Sequence, residues 1–174
     1  MHEFRDPVDR ALLWGATWDM CRDVQLSAAD YVELVVRGVA VETDLTAVSA
    51  VLGQAEAAVR YYAPPAERPA LAVRWTAGLA ELLKQVEPGS DHQLAIVRAL
   101  AASVTTPAGA ELLKAWLDGV EVPPGLSIDA GLRWRLVTNL ARLGGIDEAG
   151  IAAELAHDNT ATGAEKAAGA RAAL

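Results

Sequence analysis

Apolar residues recur along this chain at alternating steps of three and four. The clearest run is Leu45, Val48, Leu52, Ala55, Val59 and Tyr62, the period of one face of an α-helix packed on a core. Comparable stripes are Val32, Val35, Val36 and Val39; Leu71, Trp75, Leu79, Leu82 and Val86; Leu94, Val97, Ala101 and Val104; and Leu132, Leu136, Leu140 and Leu143. No segment alternates with the period of two that a strand requires. The pattern therefore predicts an all-α chain of eight or nine helices.

Polar punctuation separates the stripes. Ser27-Ala28-Ala29-Asp30, Ser90-Asp91-His92-Gln93 and Thr162-Gly163-Ala164-Glu165 have the form of N-terminal boxes, in which a hydroxyl accepts from the open amides of a first turn. Asp6-Pro7, Thr43-Asp44, Thr106-Pro107, Ser127 or Asp129, and Asp147 mark further starts, while Pro64-Pro65, Pro88-Gly89, Asp118-Gly119 and Gly144-Gly145 mark stops. Taken in pairs the helices form units of roughly 35 to 40 residues without a literal repeat, which predicts a HEAT/armadillo-like right-handed helical-repeat arc, an α-solenoid of antiparallel pairs. The 174 residues are read as a single α-helical domain. The last helix, ending Ala170-Arg171-Ala172-Ala173-Leu174, carries no stop signal, so the array is expected to continue beyond it and to self-associate through that uncovered end.

Composition narrows the function. The chain is 52% hydrophobic, enough for a core, yet no apolar run reaches the roughly 18 residues that span a bilayer, and the N-terminus lacks the order of a secretory signal. A cytoplasmic chain is expected. A net charge of −8 opposes binding to nucleic acid. The single cysteine, Cys21, is read as a small core residue, and Trp14, Trp18, Trp75 and Trp116 as packing residues. His2-Glu3-Phe4-Arg5-Asp6 resembles a zinc motif but lacks its second histidine; His92 reads as a solvated residue of a first turn, and His157 as a cation at a helix end. No nucleophile with a base and no phosphate-cradling loop appears, so no catalytic residue, metal ligand or cofactor is assigned to this chain. Arg133-Trp134-Arg135 is the one segment suited to holding a peptide carboxylate, and Arg133 and Arg135 are the substrate-facing candidates. The competing reading pairs both arginines with acidic residues while Trp134 packs between layers.

Several strings in order carry a family resemblance: Asp9-Arg10-Ala11-Leu12-Leu13-Trp14, Trp18-Asp19-Met20-Cys21-Arg22-Asp23, Glu42-Thr43-Asp44, Leu132-Arg133-Trp134-Arg135-Leu136 and Asp158-Asn159-Thr160-Ala161-Thr162-Gly163. Together they resemble the C-terminal helical domain of the zinc metalloaminopeptidases of the aminopeptidase N family, bacterial and actinobacterial in type. The resemblance implies a parent enzyme that removes N-terminal residues from peptides with a zinc-activated water held in an upstream domain. It implies for this chain the N-terminal half of an arc that walls a chamber, with the catalytic domain of the same polypeptide and the peptide substrate as partners. A second reading, from another class, is a free-standing helical-repeat scaffold that binds a partner protein along its groove.

Overall fold

A computed structural model describes residues 6–174, and every regular element among them is helical. Of the sequence motif beginning at His2, all but Asp6 lies outside these residues. The chain divides into two compact units, Met1–Ser103 and Val104–Leu174.

The first unit holds α1 (Pro7–Arg22), α2 (Ala28–Gly38), α3 (Leu45–Ala57), α4 (Arg68–Leu83) and α5 (Asp91–Ser103). Its starts are set by local chemistry. Asp6 accepts from the Val8 amide, Ser27 from Asp30, Asp44 from Thr46 and Ala47, and Ser90 from Gln93. Each bond satisfies an amide that the first helical turn leaves open. The core gathers Tyr31 and Val35 from α2, Val48, Leu52 and Ala55 from α3, Trp75 and Leu79 from α4, and Ile96 and Val97 from α5.

The stripe of α3 departs from its simple period at the end. Residues Ala58–Tyr62 form a widened π turn, closed by the Ala63 amide donating to the Ala58 carbonyl five residues back. One extra residue in the turn rotates the next side chains about the helix axis, so Ala63 is buried and Tyr62 is left 43% exposed. Two other expected positions fall past their helix ends: Val86 lies beyond α4, and Val104 beyond α5 although it is buried.

The second unit holds α6 (Pro107–Leu117), α7 (Ala130–Arg142), α8 (Glu148–His157) and α9 (Ala161–Arg171), with starts capped by Thr106, Asp129, Asp147 and Thr160. α7 packs on α6 and α9, and α8 on α9. Trp134, Val137, Ala141, Ile151, Ala167 and Ala170 form the core, with Leu117, Ile146 and Leu155 packed against it. The alanines of α9 keep its buried side thin, which lets the helix lie close to its neighbours.

The start of α9 corrects the sequence reading. Thr160, not Thr162, is the cap, its hydroxyl oxygen accepting from the Gly163 amide at 3.0 Å. The Thr160 hydroxyl also donates to Asp158 at 2.9 Å, and Asp158 is anchored in turn by Trp134. This tie holds residue 160 in place as the cap, and the helix is already formed when the chain reaches Thr162.

Candidate functional site

The Arg133-Trp134-Arg135 run lies in the first turns of α7, started by Asp129 accepting from the Leu132 amide at 2.7 Å. Successive helical residues point about 100° apart, so the three side chains go to three different surroundings. Arg133 is half-buried and makes a two-pronged pair with Glu154 of α8, Nε to Oε1 at 2.7 Å and Nη2 to Oε2 at 2.6 Å. Its Nη1 donates to the Leu117 carbonyl at 3.1 Å, an acceptor that the end of α6 leaves open. One guanidinium thus joins α6, α7 and α8. The hydrogen bonds that Arg133 donates to Glu154, with the charges of Glu154 and Asp118, outweigh the cost of burial and raise the Arg133 pKa above its ordinary value.

Trp134 is buried, and its indole Nε1 donates to Asp158 Oδ2 at 2.7 Å. Bonds from Trp134 and Thr160 hold the Asp158 carboxyl below its usual range. Arg135 lies on the exposed side of α7, where its carbonyl accepts from Asn139 at 3.0 Å. The two candidate arginines are therefore separated: Arg133 is committed to the interior of its unit, and Arg135 to the surface.

A second ionic cluster, in the first unit, joins two of the strings that carry the resemblance, Asp9–Trp14 and Glu42–Asp44, neither of which is a site candidate in the sequence. Arg10 of α1 is buried and donates from Nε and Nη2 to Glu42 at 3.2 and 3.1 Å. Trp14 Nε1 donates to the same carboxylate at 3.2 Å, as do the amides of Thr43 and Asp44 at 2.8 and 3.2 Å. Burial pushes the Glu42 pKa up, but the bonds from Arg10, Asp44, Thr43 and Trp14 together bring it below the ordinary value. The local signal in the sequence is a charge, Arg10, a helical turn before Trp14 on an inward face. Its partner lies 32 residues away, beyond the reach of periodicity.

His92 also departs from its expected place. It is half-buried, with Nε2 within 2.9 Å of the Glu42 carbonyl. His157 is exposed at the end of α8. Cys21 is buried, and burial pushes its thiol pKa up, away from the reactive thiolate. Of the tryptophans, Trp14, Trp75, Trp116 and Trp134 are buried, while Trp18 is half-buried against Tyr31 and Tyr62 at ring-centre distances of 5.4 Å.

In both clusters the carboxylate oxygens are occupied by internal donors, which suits them to fixing helices and not to activating water. Among the described residues no three His, Cys, Asp or Glu side chains gather to hold a metal ion, and no helix is long and apolar enough to cross a membrane.

Comparison with known proteins completes the picture. A family model described as the ERAP1-like C-terminal domain matches residues 1–174. Aminopeptidase N of Streptomyces lividans is 44% identical over 171 residues, which is 98% of this chain and 20% of that relative. The chain thus spans about a fifth of the length of this curated relative. With the family model covering every residue, the chain belongs to the ERAP1-like C-terminal domain family.

Proposed function

We propose that this chain is a noncatalytic part of a zinc-dependent aminopeptidase N, a wall that limits and orients peptide access to a catalytic domain in the same polypeptide. The observation that carries the reading is the 44% identity to the Streptomyces aminopeptidase N over nearly the whole chain. Helices tied by self-satisfied ionic clusters suit a wall, because a rigid surface excludes folded substrates by volume alone. The described residues hold no group that fits zinc; the metal is assigned to the rest of the parent polypeptide, and no step of the reaction is assigned to this chain. The excess of carboxylates behind the net charge of −8 draws the ammonium end of a peptide inward over a Debye length of about 8 to 10 Å. Arg135 is assigned to the substrate side, with Arg133 positioning α7 behind it through Glu154. The helical-repeat arc and a cytoplasmic location belong to the same proposal.

The test is the reading frame upstream of Met1 together with the activity of the full polypeptide. An H-E-x-x-H motif followed by a downstream glutamate, and hydrolysis of an alanyl anilide by the full polypeptide but not by these 174 residues, is the expected result. A frame without that motif, or turnover by the 174-residue chain alone, overturns the reading.

A further inference from the structure

The connection between α6 and α7, residues 118–129, is long for a compact domain and carries no regular structure. Its tip is a tight turn. The Leu126 amide donates to the Pro123 carbonyl at 3.1 Å, with Pro124 at the first central position and Gly125, at a φ of 76°, at the second. This is a type II turn, which splays the flanking segments where the hairpin turns of opposite hand would pair them. Glu121, with a φ of 55°, kinks the incoming segment as well. The outgoing segment differs. Leu126 and Ile128 are half-buried while Ser127 and Asp129 are exposed, and Asp129 is extended at φ −72° and ψ 171°, so the chain runs extended along the surface of its unit. Among the described residues, neither the amide nor the carbonyl of Ser127 or Ile128 has a hydrogen-bond partner. The segment presents the open backbone edge of a strand. Charge adds a separate observation, since the connection holds Asp118, Glu121 and Asp129 and neither lysine nor arginine. Glu121 is exposed, and Val120 beside it is 54% exposed, a surface suited to the apolar stem of a lysine.

We propose that residues 126–129 hold an extended peptide by main-chain pairing, and that the carboxylates of the connection favour peptides with basic side chains. This rests on the proposed function above and adds to it a substrate class, long cationic peptides. Main-chain pairing selects an extended chain over a folded partner, because a folded protein has already paired its backbone groups internally. Such pairing is blind to side chains, which suits a site that must hold peptides of any sequence. Discrimination is left to charge, and a net charge of −8 repels acidic peptides and a second copy of this chain alike.

Hydrogen exchange of the full-length polypeptide, read to single amides by mass spectrometry, tests the proposal. The probe is a lysine-containing decapeptide whose first peptide bond is reduced and cannot be hydrolysed; the control is the dipeptide analogue with the same reduced bond. Saturating decapeptide is expected to slow the amides of residues 126–129 about tenfold, and the dipeptide, too short to reach them, to leave their rates unchanged. No protection by the decapeptide overturns the proposal, while turnover of the alanyl anilide by the same preparation leaves the aminopeptidase reading intact. Equal protection by both ligands also overturns it, since the loop would then be reporting occupancy elsewhere. Glu121→Gln supplies a second measurement: KM for a cleavable lysine-containing decapeptide is expected to rise about threefold at low salt, and KM for its norleucine counterpart to stay constant. An equal change for both peptides, or none for either, overturns the proposal.

Discussion

At the scale of single residues, Glu42 and Val24 carry the sharpest consequences. The folded-state pKa of Glu42 lies below its value in the unfolded chain, so protons favour the unfolded chain as pH drops. The stabilisation is therefore fully present above the ordinary carboxylate range and is lost as pH falls through the lowered folded value. Glu42→Gln is expected to lower Tm near neutral pH, because the opposing charge for buried Arg10 is gone, and to flatten the acid loss of stability. Melting curves followed by circular dichroism from about pH 7 to about pH 3 check this; a variant with an undiminished acid loss would refute the assignment. Val24 sits just past α1 with a positive φ of 61°, in a turn where the Gln25 and Leu26 amides donate to the Met20 carbonyl. That left-handed position favours glycine, and a branched side chain is strained there. Val24→Gly is expected to stabilise the chain by about 1 kcal/mol, read from the midpoint of urea unfolding.

At the scale of elements, α9 offers a matched pair of substitutions. A Cβ on Gly163 would lie 2.1 Å from the Asp158 carbonyl oxygen, a backbone atom that moves only with the turn bound to Trp134. Gly169 on the same helix is exposed, with nothing within 4 Å of the added carbon. Gly163→Ala is expected to cost about 1 to 3 kcal/mol, and Gly169→Ala to gain up to about 1 kcal/mol; opposite shifts in urea midpoint are the check, and shifts of the same sign would refute the close approach at Gly163. The same helix marks the limit of what is legible in the sequence. Caps at Asp6, Ser27, Asp44, Thr106, Asp129 and Asp147 are readable because each acts on amides two or three residues away. The cap of α9 is not, because Thr160 and Thr162 are equivalent locally, and the choice is made by Asp158, whose anchor Trp134 lies 24 residues away. The widened turn after α3 escapes the period for a related reason, since nothing in the spacing of Val59 and Tyr62 reports an added residue. Among the candidate site residues, the arginines stand out in the sequence, but not the pairing of Arg133 with Glu154 or that of Arg10 with Glu42, which join segments 21 and 32 residues apart.

At the scale of the whole molecule, the division into Met1–Ser103 and Val104–Leu174 gives each unit its own core and its own ionic tie, Arg10 with Glu42 buried in the first and Arg133 with Glu154 partly buried in the second. Because each unit closes its own core, opening can be local to one group of helices. Ile151 is fully buried between the helices of the second unit, beside Trp134, Val137 and Ala167. Ile151→Ala removes that packing and is expected to cost about 2 to 4 kcal/mol. Native-state hydrogen exchange locates the loss. Amides of α7, α8 and α9 are expected to exchange faster by the factor that this cost implies, roughly 30-fold or more at 25 °C. Amides of α3, α4 and α5 are expected to keep their protection, because their core of Leu52, Trp75, Leu79 and Val97 is untouched. Equal acceleration in both groups would mean that the chain opens only as one cooperative body, and the two cores would then have no separate thermodynamic standing.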